Sequence, residues 1–379
     1  MLTYTYKLYR TKRTAKLDAL LREACFVWNH ALALQKRYYA LYGKYVPCGR
    51  MKSHFARRIS RKLLHSQTSQ EILERLDLSY RRFFDRQSKR PPKYRKAREF
   101  SSIVYKQGGF RLSGNEIVVN SIKQHYRFSY SRPYEGKVRQ IRIRRSRLGE
   151  YYLYVVTDAV AGAYVHGKSR EGASVGMDFG LKTYLTLSDG TKVENPQFLK
   201  QGLNELRSKS RALSRCAKGS SHRRERRKDL ERCHERIRNR RDDWQWKTCR
   251  ELCSKYATIC IEDLNLAGMA KLWGRKVSDL AFGSFVQKLE HVASKYGTEV
   301  VKVDRFYPSS KTCSACQYVN ERLSLRDRHW VCPECGASHD RDLNASINIL
   351  RQGIASSGSI RKPVLARQGA LATGESPAF

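Results

Sequence analysis

The sequence predicts a multidomain protein with all-β, α and α/β parts, and three observations carry that prediction. Strand-like patterning at the N-terminus gives way to a long helical stretch and resumes only near Phe110. Past Ala173, short apolar strands alternate with amphipathic helices, the pattern of an α/β domain. Two cysteine pairs with the spacing of metal knuckles interrupt that domain near its end. At 379 residues, 40% apolar and 11% aromatic, the chain can bury more than one core.

The elements follow in order. "TYTYKLY" (3–9) alternates and reads as a strand. Leu17, Leu20, Leu21, Ala24, Trp28 and Leu32 recur at helical spacing. A second helix starts near Ser69 and carries Ile72, Leu73, Leu76, Leu78, Phe83 and Phe84 before Pro91-Pro92 breaks the pattern. "FRLSGNEIVV" and "IRIRRSRLGEYYLYVV" are strand–turn–strand units, so the front of the chain reads as a small β-barrel interrupted by helices. A linker at 160–172 leads into "ASVGMDFGLKTYLTLSDGTKV", a strand, an acidic turn and a hairpin with Asp189-Gly190 at its tip. Residues 203–250 read as a basic helical pair broken at Gly219-Ser220-Ser221. "TICIE" (258–262) and "TEVVKV" (298–303) are short strands flanking a helix over Phe282–Tyr296. Beyond Leu350 periodicity fades, which predicts a disordered tail.

Charge narrows the function. Lys and Arg total 75 against 35 Asp and Glu, a formal +40, which calls for a polyanionic partner. No stretch is apolar enough to span a bilayer, and the N-terminus lacks a signal peptide's apolar core, so nucleic acid is the expected partner and no membrane role is expected. From Arg207 to Arg250 there are seventeen Lys/Arg against six Asp/Glu, with Leu230, Cys233, Ile237 and Trp244 keeping one face apolar. Some of that charge pairs along the helix. The excess fits phosphate contacts, with Arg223, Arg224, Arg226 and Arg227 as the densest group.

Of eleven cysteines, seven are scattered and suit reduced thiols in a cytosolic protein. Cys313, Cys316, Cys332 and Cys335 form C-x2-C-x15-C-x2-C, a closed four-thiolate zinc site that organises structure and leaves no position for chemistry. His339 lies just outside it and reads as a capping or nucleic-acid-facing histidine. Three acids stand out beyond the cysteines. Asp178 and Glu262 each end an apolar strand, and Asp342 begins a helix, with Asp340 as its competitor. Alone each has an ordinary reading: turn residue, solvated glutamate, helix cap. Together they can converge on hard divalent cations, Mg2+ or Mn2+.

"VGMDFGLKTYLTLSDG", "ICIEDLNLAGMAK", "FGSFVQKLEHVASKYGTEVVKVDRFYPSSKTCSACQ" and "WVCPECGASHDRDLNASINIL" closely resemble the TnpB family, transposon-encoded RNA-guided DNA nucleases related to type V CRISPR effectors. "CFVWNHALALQKRYYALYGKY" matches the family's N-terminal helix, and the resemblance runs through nearly all of residues 1–350. It implies a RuvC-like (RNase H fold) nuclease domain over 173–305 and 337–352, with a basic lid at 203–250 and a zinc-ribbon insert at 306–336. A wedge β-barrel, 1–10 and 106–165, and a helical recognition domain, 11–105, would precede it, and 353–379 would be the tail. The resemblance makes Asp178, Glu262 and Asp342 the catalytic, Mg2+-holding acids. It turns Ser66, Gln67, Gln70, Tyr105, Lys106 and Gln107 towards a short DNA motif beside the target. The expected activity is double-stranded DNA cleavage guided by an RNA from the transposon end, by a monomer in a prokaryotic cytoplasm. The alternatives are a guide-independent RNase H-fold nuclease or transposase, and a catalytically silent nucleic-acid-binding regulator.

Overall fold

A computed structural model of the protein describes residues 1–58, 63–106, 108–159, 173–265, 268, 274, 279–324 and 326–357. Gln107, the expected linker at 160–172 and the tail from 358 onward lie outside the described residues. The chain forms two compact units, 1–162 with 209–232, and 163–208 with 233–379. No described helix is long and apolar enough to cross a membrane.

The first unit opens with β1 (Leu2–Lys7), followed by α1 (Thr14–Tyr42), α2 (Cys48–Arg58) and α3 (Ser66–Phe84). Strands β2 (Ser102–Tyr105), β3 (Phe110–Ser113), β4 (Glu116–Val119), β5 (Gln124–Arg127), β6 (Val138–Arg145) and β7 (Tyr151–Thr157) follow. They make two antiparallel sheets, β1-β7-β6-β2 and β3-β4-β5, which meet where Leu8 bridges Phe128. Among the described residues no ladder closes them into the expected barrel. In β7, Tyr151, Leu153 and Val155 alternate inward, as the period of a strand requires. They join the core to which α1 gives Leu17, Leu20, Leu21, Ala24, Val27, Trp28, Ala31 and Leu32. Gly43, at φ 61°, ends α1 by donating its amide to Tyr39 O at 2.8 Å. Helix α2 and strand β2 fall in a stretch whose sequence pattern shows neither.

The second unit is built on a five-stranded sheet, β10-β9-β8-β11-β12. Its strands are β8 (Ser174–Phe179), β9 (Thr183–Leu187), β10 (Lys192–Glu194), β11 (Thr258–Glu262) and β12 (Glu299–Val303). β8, β11 and β12 run parallel, whereas β9 and β10 are hairpin-connected and antiparallel. Between β10 and β11 the chain makes a helical hairpin, α4 (Phe198–Ser214) and α5 (Ser221–Lys255), whose tip belongs to the first unit. Helix α6 (Phe282–Tyr296) precedes β12. A two-stranded ribbon, β13 (His329–Val331) and β14 (Ser338–Asp340), leads into α7 (Arg341–Ser357). Helix α7 continues to Ser357, so residues 353–357 are helical where the sequence reads as tail.

Both faces of the sheet are covered, which is why its strands read as short continuous apolar runs. Val175, Met177, Phe179, Ile259 and Ile261 face a core shared with Leu252 of α5 and with Phe282, Phe285 and Leu289 of α6. That side is locked by Lys288, whose ammonium donates to Asp242 at 2.9 Å, Gln245 at 2.9 Å and Ser284 at 2.6 Å. The opposite face carries Cys260, Val301 and Val303 under Ile349 of α7.

Candidate active site

Strand register places the first two acids. The β8–β11 ladder pairs Ser174 with Thr258 through Met177 with Ile261, so one residue further Asp178 stands beside Glu262. Neighbouring strands lie ~4.8 Å apart, and residues in register on parallel strands share a face. Both acids sit at the carboxyl ends of their strands, on the face covered by α7. Crevices outside the carboxyl ends of parallel strands are where α/β sheets place ligands.

Helix α7 brings the third acid, and two glycines let it lie close. A Cβ on Gly176 would come within 2.0 Å of Ser346 O and 2.6 Å of Leu350 N. A Cβ on Gly353 would come within 2.4 Å of Cys260 Sγ. Helix backbone therefore rests on strand backbone, and α7 runs back over the sheet with its N-terminus at the acid end. Gly176→Ala should force helix and strand apart, lowering stability by ~1–3 kcal/mol and slowing any reaction at the acids. Thermal melting with a cleavage assay checks it, and wild-type values in both would mean that α7 is not seated there.

Asp340 and Asp342 differ in their bonds. Asp340 Oδ1 accepts from the amides of Asp342 at 3.0 Å and Leu343 at 3.2 Å, and Asp340 Oδ2 accepts from Lys192 Nζ at 3.0 Å. It is the helix cap. Burial works against its charge, yet those amides and Lys192 hold its carboxyl below the ordinary range. Asp342 is left with its carboxylate turned to another partner, Arg328, at 3.2 and 3.4 Å.

Asp178 feels the other two acids. Burial first, then the Asp342 and Glu262 carboxylates, push Asp178 up to about 7 against the opposing pull of Arg341. Burial, with Asp263 adding to it, also raises Glu262. Crowded carboxylates that resist ionisation are the setting in which a multivalent cation gains most. Oxygen donors of this kind fit Mg2+ or Mn2+.

The four cysteines converge as their spacing predicts. Their Sγ atoms all lie within 4.8 Å of one another, the one such metal-ready group of His, Cys, Asp or Glu among the described residues. Cys313 and Cys335 are 3.7 Å apart at sulfur, and Cys316 and Cys332 3.6 Å. Zn–S bonds of ~2.3 Å in a tetrahedron require sulfurs ~3.8 Å apart, so the thiols fit zinc. His339 is half-buried. Its Nε2 lies 3.1 Å from Cys313 Sγ and its ring packs on Trp330 at 4.7 Å, a support for the thiolate.

Two residues that sequence reading missed tie this knuckle to the acids. Asn344 donates to Thr312 O at 2.7 Å and accepts from Ser314 N at 2.9 Å. Asn348, one turn on, donates to Ser309 O at 2.9 Å and Thr312 O at 2.6 Å. Both are buried. Asparagines at i and i+4 inside an otherwise apolar helical run were the available signal, since a buried amide needs partners.

The nucleic-acid candidates divide. Ser66 and Gln70 are exposed on the first turns of α3. Gln67 accepts from Gly108 N at 3.1 Å and so fastens the loop after β2 to α3. Lys106 is ion-paired with Glu74, which also holds Lys52 at 2.6 Å. Tyr105 requires a correction. Its ring is fully buried, because β2 points it inward, and it cannot meet a duplex. Arg223 is also reassigned: its guanidinium donates to Leu213 O at 2.9 Å and Cys216 O at 2.8 Å, closing the hairpin over the end of α4. Arg224, Arg226 and Arg227 remain exposed, Arg226 lying 3.7 Å from Asp229.

Residues 152–272 match the family model "Probable transposase" and residues 282–349 the model "Cas12f1-like, TNB domain". A Streptomyces pristinaespiralis protein described as "Putative RNA-guided DNA endonuclease" is 31% identical over 368 residues, covering 93% of this chain and 90% of that one. An Escherichia coli protein described as "Putative RNA-guided DNA endonuclease InsQ" is 27% identical over 356 residues, covering 88% of this chain and 87% of that one. In fold, the chain is similar to a protein solved by cryo-EM as a Cas12f1-sgRNA-target DNA complex, with a TM-score of 0.61 at 14% identity, covering 90% and 83% of the two chains.

Proposed function

The chain belongs to the TnpB family, and from that footing we propose that it is an RNA-guided, divalent-metal-dependent DNA endonuclease. Its second unit would be the RuvC-like nuclease domain and Asp178, Glu262 and Asp342 its catalytic acids. What supports the reading is their proximity: strand register puts Glu262 beside Asp178, and Asp342, on the helix laid over that face, is near enough to raise the Asp178 carboxyl. Hard divalent cations held there would supply charge neutralisation at the scissile phosphate and at the leaving oxygen.

The chain's own residues do the rest. Asp340 and Lys192 fix the start of α7, so Asp342 is presented from a rigid first turn. Gly176 lets the next turns of α7, at Ser346 and Leu350, lie close against β8. Arg328 is poised between the ribbon and the acids, where its guanidinium balances Asp342. The arginines of the hairpin would hold phosphate backbones without reading sequence. Ser66 and Gln70, the exposed positions of the α3 start, would read the motif beside the target, with Gln67 and Tyr105 as their support. Pairing with the guide would supply the remaining specificity.

Swapping the guide tests the reading. Expressed with its native flanking DNA, the protein should retain an RNA whose 3′ segment extends beyond the element. Replacing that segment should move the cut to the new complementary site and keep the same adjacent motif. Cutting that ignores the new segment would favour a guide-independent nuclease.

A further inference from the structure

Phe306 is 86% exposed, the highest value of any large hydrophobic side chain among the described residues. An isolated surface phenylalanine is ordinary. This one differs in where it stands and how it is held. β12 ends with Val303 paired to Glu262, and Val303 O also accepts from the amide of Asp263 at 3.0 Å. Arg305 then reaches back to form an ion pair with Asp263. Phe306 is the next residue, so it follows the carboxyl end of β12, the end of the sheet at which Asp178 and Glu262 also lie.

The turn that presents it is stiff. Asp304 Oδ1 accepts from the amide of Phe306 at 2.7 Å, and Asp304 O from the amide of Tyr307 at 3.1 Å. Tyr307 points the other way and packs into the core formed by Cys260, Val301, Val303 and Ile349. Pro308 restricts the backbone of Tyr307, and its carbonyl accepts from the amides of Lys311 and Thr312 at 3.0 Å each. With Tyr307 anchored inward and Asp304 gripping the amide of its neighbour, the Phe306 ring is held out in water. Among the described residues no aromatic ring packs on it.

We propose that Phe306 is a stacking post for a base of the DNA strand that lies in the carboxylate site. A flat aromatic on a fixed backbone near a phosphodiester-cutting centre suits any base, since every base has a π-face. It would fix the strand's position along the edge and so set which phosphate meets the acids. This rests on the nuclease reading, and two measurements keep the failures apart.

Single-turnover cleavage of a matched duplex by the guide-loaded protein is compared for Phe306→Ala, Phe306→Leu and Phe306→Trp. The Ala and Leu variants should cut about tenfold or more slower, and the Trp variant near the wild-type rate. The side chain is exposed, so none of these changes should alter folding. In a Glu262→Ala background, a single-stranded DNA probe carries 2-aminopurine at successive positions. It should be quenched at one position when residue 306 is Phe or Trp, and not when it is Ala or Leu. A Leu variant that cuts and quenches as Trp does, or an Ala variant unchanged in both, overturns the proposal. If the wild-type protein does not cut at all, the nuclease reading fails, while the quenching result still decides whether the ring stacks on a base.

Discussion

Glu262→Ala should reduce DNA cleavage by several orders of magnitude and leave target binding within a few-fold of wild type. The two effects separate because they come from different parts of the chain. Glu262 stands in register with Asp178 at the end of a strand whose fold is set by the residues before it, Ile259 to Ile261. Removing its carboxylate would take away a proposed metal ligand and nothing the core depends on. Binding, by contrast, is expected to follow the formal +40 and its phosphate contacts. Chelation should reproduce the variant in the wild-type protein, and Mg2+ or Mn2+ should reverse chelation but not the mutation. A Glu262→Ala protein that cuts at the wild-type rate removes this residue from the site.

Asp178→Asn adds a stability arm to the same experiment. In the metal-free protein the Asp178 carboxyl is raised from 3.8 to about 7, so ionising it costs more in the folded than in the unfolded chain. The penalty is absent below the unfolded value, where both states hold the proton, grows as pH rises from about 4 to about 7, and is constant above that. Asn carries no such charge. Its Tm in chelator should exceed wild type by a few degrees at pH 8, with the gain gone near pH 4. Inactivity with a raised Tm marks a site where function and stability oppose each other.

What the sequence reveals depends on whether the signal is local. Strands β8 and β11 are legible because buried parallel strands are short apolar runs, and an acid at the end of such a run is conspicuous. The cysteine knuckles are legible because their geometry is set within four residues. Tyr105 is not. Its orientation depends on the parity of β2, and "SIVY" between a basic turn and two glycines gives no warning of a strand paired with β6. Arg223 depends on where α4 ends relative to α5, a tertiary fact, although a long cation just after a Gly-Ser-Ser break is suited to another helix's last carbonyls. Gly176 is hidden for a related reason. A glycine within a strand weakens it unless something must come close, and that something is more than 160 residues away in sequence.

Replacing Cys313 and Cys332 with Ser should release about one zinc per chain and abolish cleavage, even though neither residue touches the reacting atoms. The coupling runs through α7. With zinc bound, the four thiolates, 3.7 Å apart in the Cys313–Cys335 pair and 3.6 Å in the Cys316–Cys332 pair, would hold the ribbon closed, and their anchor segment, Ser309 to Ser314, is gripped by Asn344 and Asn348. Those asparagines lie on the helix that presents Asp342. Losing the metal would therefore loosen a segment that fixes the third acid, because binding energy at a structural zinc site is folding energy. Excess Mg2+ should not rescue the variant, whereas it would rescue one whose defect was weak occupancy of an intact site. Asn348→Ala separates the two links. It should keep the zinc, measured by metal analysis, and still lose activity, since it breaks the connection and not the knuckle. Its cost should be ~1–3 kcal/mol, as Ser309 O and Thr312 O lose a buried donor. Zinc retained with full cleavage in Asn348→Ala would mean that the ribbon and α7 stand independently. Native protein without zinc would remove the argument at its first step.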